Sequence, residues 1–393
     1  MRNIIPALLF SLLISCSHSV SVKKILPENW DSYSAGDKVM DGLVKVTAPQ
    51  VKGAHDAEFV CFDNKAYIIT MVNDSMPGES PYWPFVYNTL SVIDLKTLHV
   101  QKIIPVSRGN QIFENDILPE GACFVPRIIQ KDTKTLRCFF ASEQPEIRQS
   151  QIWYLDFDVE KEAFIDRIYR MKFKTDEGVF DMQPQYFCED STIKPTAGFY
   201  LFDSFKNFDG ETYVAVNNFM AKQNGLAKMN ATLDTVELLG YYKDSKKFAL
   251  SESSVNRLPD GTWMAICRND GQQWDGTNYL FQESKDGKSW DFSNRFDFVV
   301  NGINAKPTFN KFNGIYYLGW QEKSQIDGKE IPRCLFNVDV SRDGKNWERK
   351  YSFKTDKSFQ YPTFHEYNGS IWLSVTQGDI ENGKKRIMFG KLE

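Results

Sequence analysis

Apolar and polar residues alternate along most of this chain in short runs that end at Gly, Asn or Asp, which is the pattern of β-hairpins. The two most regular runs are NAKPTFNKFNGIYYLGWQE, from Asn304, and SFQYPTFHEYNGSIWLSVTQG, from Ser358. Each contains Pro-Thr-Phe, an Asn-Gly turn, an alternating strand and then a Gln. No strongly periodic helix of ten residues or more is predicted. The chain is therefore predicted to be all-β.

Looser copies of the same hairpin precede these two. They read HDAEFVCFDNKAYIITMVND, ACFVPRIIQKDTKTLRCFFASEQ and SSVNRLPDGTWMAICRND. Repeats of this length, made of short strands, are typical of propeller blades of about four strands. We expect one β-propeller domain over residues 40–393, with seven blades or six. A propeller closes by pairing its first and last strands, which explains why the regular copies lie at the C-terminal end.

A seven-residue turn pattern occurs twice. Ser284 to Trp290 reads SKDGKSW and Ser341 to Trp347 reads SRDGKNW. Asp-Gly supplies a tight turn, the Ser and Asp side chains can bond its backbone, and the Trp can pack it against the blade. The pattern resembles the Asp-box of the sialidase superfamily, in a variant with Gly directly after Asp. Trp290 and Trp347 are therefore expected in equivalent corners of successive blades.

The N-terminus has the features of an export signal. After Arg2 comes an apolar stretch, Ile4 to Ile14, which is too short to span a bilayer and ends at Ser15-Cys16. It resembles a bacterial lipoprotein signal, which implies cleavage before Cys16 and a lipid on that thiol. Residues 1–16 would then be the signal and 17–39 a tether, and the protein would be anchored to the bacterial outer membrane by lipid alone. An ordinary secretory signal, cut slightly later, is the alternative.

Composition limits the partners and cofactors. The chain has 393 residues, of which 42% are hydrophobic, so it can bury a large core. Its net charge of −4 and the lack of a dense Lys/Arg run argue against a nucleic-acid partner. The cysteines after Cys16 show no CxxC spacing and several lie in apolar runs, so buried free thiols are expected, with a Cys123–Cys138 disulfide between neighbouring strands as the alternative. No metal or cofactor is predicted.

Polar residues recur where the second strand of each predicted hairpin ends. In a radial fold such positions converge on the axis, where amide, carboxylate and guanidinium groups suit an acidic, hydroxyl-rich sugar and aromatic rings can stack on it. The polar clusters are Asn73-Asp74, Ser142-Glu143-Gln144, Asn217-Asn218, Arg268-Asn269-Asp270, Gln321-Glu322 and Gln377. The substrate-binding residues predicted from them and their neighbours are Arg127, Glu143, Arg268, Lys306, Gln321 and Tyr361. Solvated strand ends are the alternative interpretation.

His55 is the histidine that best fits a catalytic role. It opens the first hairpin beside Asp56 and Glu58, where a carboxylate could orient the imidazole and let it act as a general acid near neutral pH. A structural, hydrogen-bonded histidine is the alternative. No catalytic pair of carboxylates can be identified from sequence spacing in a propeller.

Several segments together resemble glycoside hydrolase family 145. They are GAHDAEF, GACFVPRI, FFASEQP, VFDMQPQYF, LFDSFK, VNRLPDGTWMAICR, KPTF, FNVDVSRDGK and FQYPTFHEYNGSIWLSVTQGD. The resemblance implies a seven-bladed propeller of gut Bacteroidetes that removes rhamnose α-1,4-linked to glucuronic acid in arabinogalactan side chains, as an α-L-rhamnosidase. The family's catalytic histidine matches His55, on the face opposite the usual sialidase pocket. Arg127, Arg268 or Lys306 would hold the uronate carboxylate, which itself could assist hydrolysis.

Two other functions fit the same sequence. A related propeller family, polysaccharide lyase family 27, cleaves the same linkage by β-elimination, and a Tyr or His could be its base here. A catalytically inactive glycan-binding propeller is the other alternative. Sialidase activity is not expected, because neither a three-arginine clamp nor a Tyr/Glu nucleophile pair is recognisable as a motif.

Overall fold

The computed structural model describes residues 24–76, 78, 85–144, 149–176, 178–181, 199–218, 222–274, 276–294, 296–379 and 383–393. Within these ranges the chain forms one α-helix and thirty β-strands. Almost all of the strands belong to six sheets, each of which is one blade, as the hairpin pattern predicts.

The first three blades follow one another along the chain. Blade 1 consists of β2 (Gly53–Phe62), β3 (Lys65–Asn73), β4 (Tyr87–Asp94) and β5 (Val100–Ser107). Blade 2 consists of β6 (Cys123–Gln130), β7 (Thr135–Gln144), β8 (Gln149–Asp158) and β10 (Tyr169–Arg170), with β9 (Ala163–Phe164) also on β8. Blade 3 consists of β13 (Phe199–Leu201) and β14 (Lys206–Phe208), then β15 (Glu211–Asn218), β16 (Gln223–Met229) and β17 (Thr235–Tyr241), extended by β11 (Lys172–Thr175) and β12 (Gly178–Asp181).

The last three blades include the most regular repeats. Blade 4 consists of β18 (Leu250–Arg257), β19 (Trp263–Asn269), β20 (Tyr279–Ser284) and β21 (Asp291–Phe292). Blade 5 consists of β22 (Thr308–Phe312), β23 (Ile315–Glu322), β26 (Leu335–Ser341) and β27 (Glu348–Lys354), and a small hairpin, β24 (Gln325–Ile326) and β25 (Lys329–Glu330), follows β23. Blade 6 consists of β28 (Gln360–Tyr367), β29 (Ser370–Gln377), β30 (Arg386–Lys391) and β1 (Val44–Lys45). The pairing among the described strands of the blades is antiparallel except in blade 3, where β11 pairs with β17 in parallel.

The ring closes as predicted, by pairing of the first and last strands. Val44 of β1 lies opposite Phe389 of β30, so the N-terminal strand completes blade 6. Neighbouring blades contact each other through their inner strands around the whole axis. The described residues therefore form a six-bladed propeller, the smaller of the two predicted counts. The hydrophobic core lies between blades, for example where Phe139 of blade 2 meets Val214 of blade 3.

The two Asp-box turns occupy equivalent corners of blades 4 and 5, as predicted. Each follows the third strand of its blade, and its Asp carboxylate accepts two backbone N–H groups: Asp286 from Lys288 and Ser289, Asp343 from Lys345 and Asn346. The bonds to the backbone and to the preceding Ser hydroxyl lower the pKa of Asp286 to about 2.

The segment before the propeller is not a free tether from residue 24 onward. Helix α1 (Ser32–Asp41) packs on the outer strand of blade 5, and a Cβ on Gly36 would lie 2.5 Å from the carbonyl oxygen of Ser352. Ahead of the helix, the Glu348 carboxylate accepts the backbone N–H of Ile25. The chain thus covers an edge strand that would otherwise be open, which corrects both the predicted tether boundary and the expected lack of a ten-residue helix.

The described cysteines Cys61, Cys123, Cys138, Cys267 and Cys334 are buried free thiols, as expected. Cys16 and Cys188 lie outside the described residues. No helix in the described part of the chain is long and apolar enough to cross a membrane.

Candidate active site

The two faces of the propeller carry different residues. The inner strands begin at what we name the upper face and end at the lower face, where the Asp-box turns lie. The second strands run the other way, so Asn73, Glu143, Asn217, Asn269 and Gln377 end at the upper face. The beginnings of the inner strands and the predicted polar clusters therefore lie at the same face of the molecule.

A repeated β-bulge turns side chains toward the axis at this face. In blades 1, 2, 4 and 6 the inner strand has one more residue than the paired stretch of the second strand, at the same point near its start. The bulge includes Asp56, Val125 and Tyr361, which have φ of 49°, 49° and 52°. Such backbone is costly for non-glycine residues and is concentrated at functional sites, where a bulge re-aims a side chain.

Tyr361 forms the centre of the site. Its hydroxyl donates a short hydrogen bond to the Glu252 carboxylate, which belongs to blade 4 across the axis. Arg268 donates from Nη1 to both Glu252 oxygens, at 3.0 and 2.8 Å, and to the Tyr361 hydroxyl at 3.1 Å. Its Nε donates to Asp270 at 2.7 Å. Two blades thus share one buried network of a phenol, a carboxylate and a guanidinium.

Burial and neighbouring charges set the protonation states of Glu252 and Tyr361. Burial raises the pKa of Glu252, but Arg268 and the Tyr361 hydroxyl outweigh burial, and the net pKa lies below the usual range. Burial and the Glu252 charge raise the pKa of Tyr361. At neutral pH the network therefore consists of an ionised carboxylate that accepts from a protonated phenol. This is the arrangement in which a carboxylate can take the proton of a tyrosine nucleophile.

His55 packs directly against Tyr361. The ring centroids are 4.2 Å apart, Nδ1 lies 3.1 Å from the Thr376 hydroxyl, and Nε2 has no partner among the described residues. Burial lowers the pKa of His55 well below its usual range, and the charges of Lys384 and Arg333 lower it further. The imidazole is therefore neutral at neutral pH.

Three expectations about His55 need correction. No carboxylate orients it, since its partner is Thr376 and the Asp56 carboxylate accepts from Arg127 and Lys306 instead. It does not lie on the face opposite Tyr361, since the two rings are in contact. Its lowered pKa also disfavours the role of general acid near neutral pH, because the neutral ring has given up the proton that such a role requires.

Arg127 and Lys306 belong to a buried ion cluster centred on Asp56. Arg127 donates to Asp56 at 3.1 Å and to the carbonyl oxygens of Pro126 and Phe202, both at 2.6 Å, and has no exposed surface. Lys306 donates to the other Asp56 oxygen at 2.8 Å. Both cations form ion pairs with Asp56, so Asp56 links blade 1 to blades 2 and 5. Of the three predicted carboxylate-binding residues, Arg268 donates to the Tyr361 hydroxyl, and the Lys306 Nζ lies 5.5 Å from the Tyr361 ring centroid while it is paired with Asp56.

The other predicted binding residues lie around the edge. Gln321 is fully buried and its amide donates to the Leu335 carbonyl, so the structure gives it a role in packing blade 5. Glu143 is buried at the end of β7, and its charge adds to burial in raising the pKa of Tyr200. The sequence also offers Tyr82 and Trp83 as rings that could stack on a sugar, and both lie outside the described residues.

Sequence reasoning missed three residues of the site. Glu252 lies in the bulge near the start of the inner strand of blade 4, inside SESSVNR, and alignment of the blades places it one residue after the position equivalent to Tyr361. Arg333 is half-buried, donates to Gln360 at 2.9 Å and lies 5.9 Å from the Tyr361 ring centroid. Lys384 exerts the largest charge effect on His55, and burial lowers the pKa of Lys384 to about 8. Neither cation belongs to a repeated motif.

The site is cationic at its edge and holds no recognisable metal cluster. Arg268, Arg333, Lys306 and Lys384 all act electrostatically on His55. In the part of the chain that the structure describes, no three His, Cys, Asp or Glu side chains are grouped so that they could hold a metal ion. A carboxylate-bearing ligand fits this charge pattern.

Buried neutral histidines predict an acid-sensitive fold. Burial lowers the pKa of His365 to about 4, whereas the unfolded chain takes up that proton below about pH 6.5. The unfolded state therefore binds more protons between these values, and stability is complete above about pH 6.5 and is lost as pH falls toward 4. We expect the unfolding midpoint of His365→Gln to change less between pH 7 and pH 4.5 than that of the wild type. The exposed His99→Gln should behave like the wild type. Identical slopes for all three proteins would contradict a proton-excluding site at His365.

Comparisons with known proteins identify the fold. No family model matches the chain, and no curated protein matches it. A protein of unknown function from Dyadobacter fermentans superposes with a TM-score of 0.60 at 12% identity, covering 88% of this chain and 98% of that one. A Hadza microbial sialidase gives 0.60 at 11% identity, covering 89% and 68%. The sialidase of Trypanosoma rangeli, solved with sialic acid, gives 0.57 at 10% identity, covering 90% and 57%. This chain therefore has the fold of a sialidase-like β-propeller.

Proposed function

We propose that this protein is a glycoside hydrolase that acts on an acidic glycan and uses Tyr361 as its nucleophile. One observation carries the proposal: the Tyr361 hydroxyl donates to the buried Glu252 carboxylate while Arg268 binds both groups. Tyrosine serves as the nucleophile in some glycosidases in place of the usual second carboxylate. The sialidase-like fold of the neighbours supports a glycan as substrate.

The chemistry follows from this geometry. As the Tyr361 oxygen bonds to the anomeric carbon, its proton passes to Glu252, and the glycosidic bond breaks toward the leaving oxygen. Arg268 stabilises the carboxylate before the transfer and the phenol oxygen as it loses its proton. Water then attacks the anomeric carbon and breaks its bond to the Tyr361 oxygen; Glu252 returns its proton to that oxygen, and the proton that the water loses passes to the group that protonated the leaving oxygen. Lys384, with a pKa of about 8, is protonated at neutral pH and is a candidate donor for the leaving group.

For the substrate, we propose rhamnose linked α-1,4 to glucuronic acid, as the sequence resemblance implies. The cations Arg268, Arg333 and Lys384 beside Tyr361 would hold the uronate carboxylate. The test is to incubate the pure protein with gum arabic or a rhamnosyl-glucuronate oligosaccharide and measure free rhamnose. Release by the wild type supports the substrate, and release without the ultraviolet absorbance of an unsaturated uronate supports hydrolysis. Release of a different sugar without that absorbance would retain the hydrolase and reject rhamnose.

One observation favours a second candidate, β-elimination at the same linkage. His55 is neutral, its Nε2 has no partner among the described residues, and cations surround it. A neutral imidazole can take the C5 proton of a uronate while an arginine neutralises the carboxylate. A lyase would produce the ultraviolet absorbance of an unsaturated uronate, and His55→Gln would abolish it. Free rhamnose without that absorbance excludes elimination, and binding without either product would indicate a glycan-binding protein.

We also propose that Cys16 carries a lipid that anchors the protein to the outer membrane, and its replacement gives a direct test. Cys16→Ala removes the thiol that the signal pattern assigns to the lipid, so the protein should move from the membrane fraction to the soluble fraction. The measurement is fractionation of producing cells, with Cys61→Ala, a buried cysteine of the propeller, as control. Membrane association that survives Cys16→Ala would count against lipidation.

A further inference from the structure

The lower face contains a large cavity that the proposed hydrolysis does not use. It has a volume of about 1500 Å³ and opens where the inner strands of all six blades end. Blade 1 contributes Glu58, blade 3 contributes Ser204 and Lys206, and blade 5 contributes Asn310. Tyr361, His55 and Arg268 are not among the residues that line this cavity. The cavity is therefore a second concave site on the same molecule.

The floor of this cavity is polar and already organised. Ser204 donates to Glu58 at 2.6 Å, and Lys206 donates to Asn310. The side chains of Glu58, Lys206 and Asn310 are each more than nine-tenths buried, so their positions are fixed by packing. Burial raises the pKa of Glu58 despite the opposing charges of Arg127 and Lys306, and its carboxylate accepts from the Ser204 hydroxyl and from the backbone N–H of Phe59. Such a floor offers acceptors, donors and amide groups at fixed positions.

The walls and the edge fit an uncharged ligand. Three partly buried phenylalanines line the cavity beside the polar floor and can meet a ligand: Phe205, Phe208 and Phe312. At the opening, Lys228 is paired with Glu211 and Arg257 with Asp209, so these four charges offset each other. The upper site, in contrast, gathers cations around His55. Flat apolar faces beside fixed donors and acceptors, without excess charge, are what a chain of neutral sugar rings requires.

We propose that the lower cavity is a second, non-catalytic binding site for a neutral, hydroxyl-rich glycan chain. The pyranose faces would pack on the phenylalanines while the hydroxyls bond Glu58, Lys206 and Asn310. Because this cavity lies at the face opposite Tyr361, it could hold one glycan chain while the upper site cleaves another. The site would keep the enzyme on a polysaccharide whose backbone is neutral and whose branches are acidic.

Calorimetric titration of Tyr361→Phe with neutral oligosaccharides tests this proposal, because that background is expected not to turn over. The probes are cellohexaose, mannohexaose and a galactan-derived hexaose. At least one should bind at a single site with a Kd below about 1 mM. Adding Asn310→Ala should weaken that affinity by about three- to tenfold, through the loss of one hydrogen-bonding group. A second variant, Ser204→Trp, fills the cavity from a half-exposed position and should abolish binding, with the unfolding midpoint as the check on folding.

Arg333→Ala, at the upper face, is the matched control and should leave the affinity for the neutral probe unchanged. Binding that is lost in Arg333→Ala but kept in Asn310→Ala and Ser204→Trp would place the ligand at the upper face and overturn the proposal. Absence of binding by all three probes would overturn it as well. Because the test measures binding in a protein without the Tyr361 hydroxyl, its result is independent of whether the upper site hydrolyses glycans.

Discussion

Replacing Tyr361 by Phe is expected to lower kcat on the hydrolysed glycan by at least about 10³-fold, with little change in affinity. The substitution removes only the hydroxyl that Glu252 and Arg268 bind. The aromatic ring that packs on His55 at 4.2 Å remains, so the shape of the site should survive. Steady-state kinetics and equilibrium binding of the same substrate separate the two effects. In the wild type, rapid quenching followed by mass spectrometry should find a glycosyl group on the peptide that contains Tyr361.

Tyr367→Phe is the control for that experiment. Tyr367 lies at the other end of the same strand, where its hydroxyl accepts the backbone N–H of Asn64. This variant removes an equal group from blade 6 without touching the network, so its kcat should match the wild type. Normal turnover in Tyr361→Phe would exclude the tyrosine nucleophile, and the search would then move to His55 and Lys384.

Replacing Asp56 by Asn is expected to lower the free energy of unfolding by about 3–5 kcal/mol. Asp56 is the shared partner of Arg127 and Lys306, and all three side chains are buried. Asn tolerates the positive φ at this position and keeps nearly the same volume, so the backbone should not be strained. What changes is the charge, because two buried cations lose their anion. Denaturant unfolding, monitored by tryptophan fluorescence, measures the difference.

Asp291→Asn gives the matched surface case. Asp291 accepts from Lys243 at 2.6 Å, but its side chain is 78% exposed, so the solvent screens the pair. Its loss should cost less than about 1 kcal/mol. Similar losses in the two variants would mean that the Asp56 cluster does not hold blades 1, 2 and 5 together.

Repeated motifs predict some residues of the site correctly and others not. His55, Arg268 and Tyr361 follow or begin repeated hairpins, and the structure brings these three together. Arg127 and Lys306 lie in similar places, but both donate to Asp56. A sequence repeat places residues on a strand; it does not say whether a side chain meets solvent or a neighbouring blade. Glu252 and Arg333 are not identified from the sequence because Glu252 lies outside the polar clusters that end the second strands, and Arg333 lies in the connection between β25 and β26.

The sequence by itself determined the blade architecture, the Asp-box corners and the closure of the ring. These depend on alternation and on turn residues, which are local and act through backbone geometry that neighbouring residues decide. Only the tertiary structure decided that Tyr361 meets Glu252, that His55 is neutral and that Asp56 joins three blades. Each of these depends on residues from different blades that meet near the axis. Burial and the charges of those neighbours then set the pKa of each group, and residues adjacent in the sequence do not determine either effect.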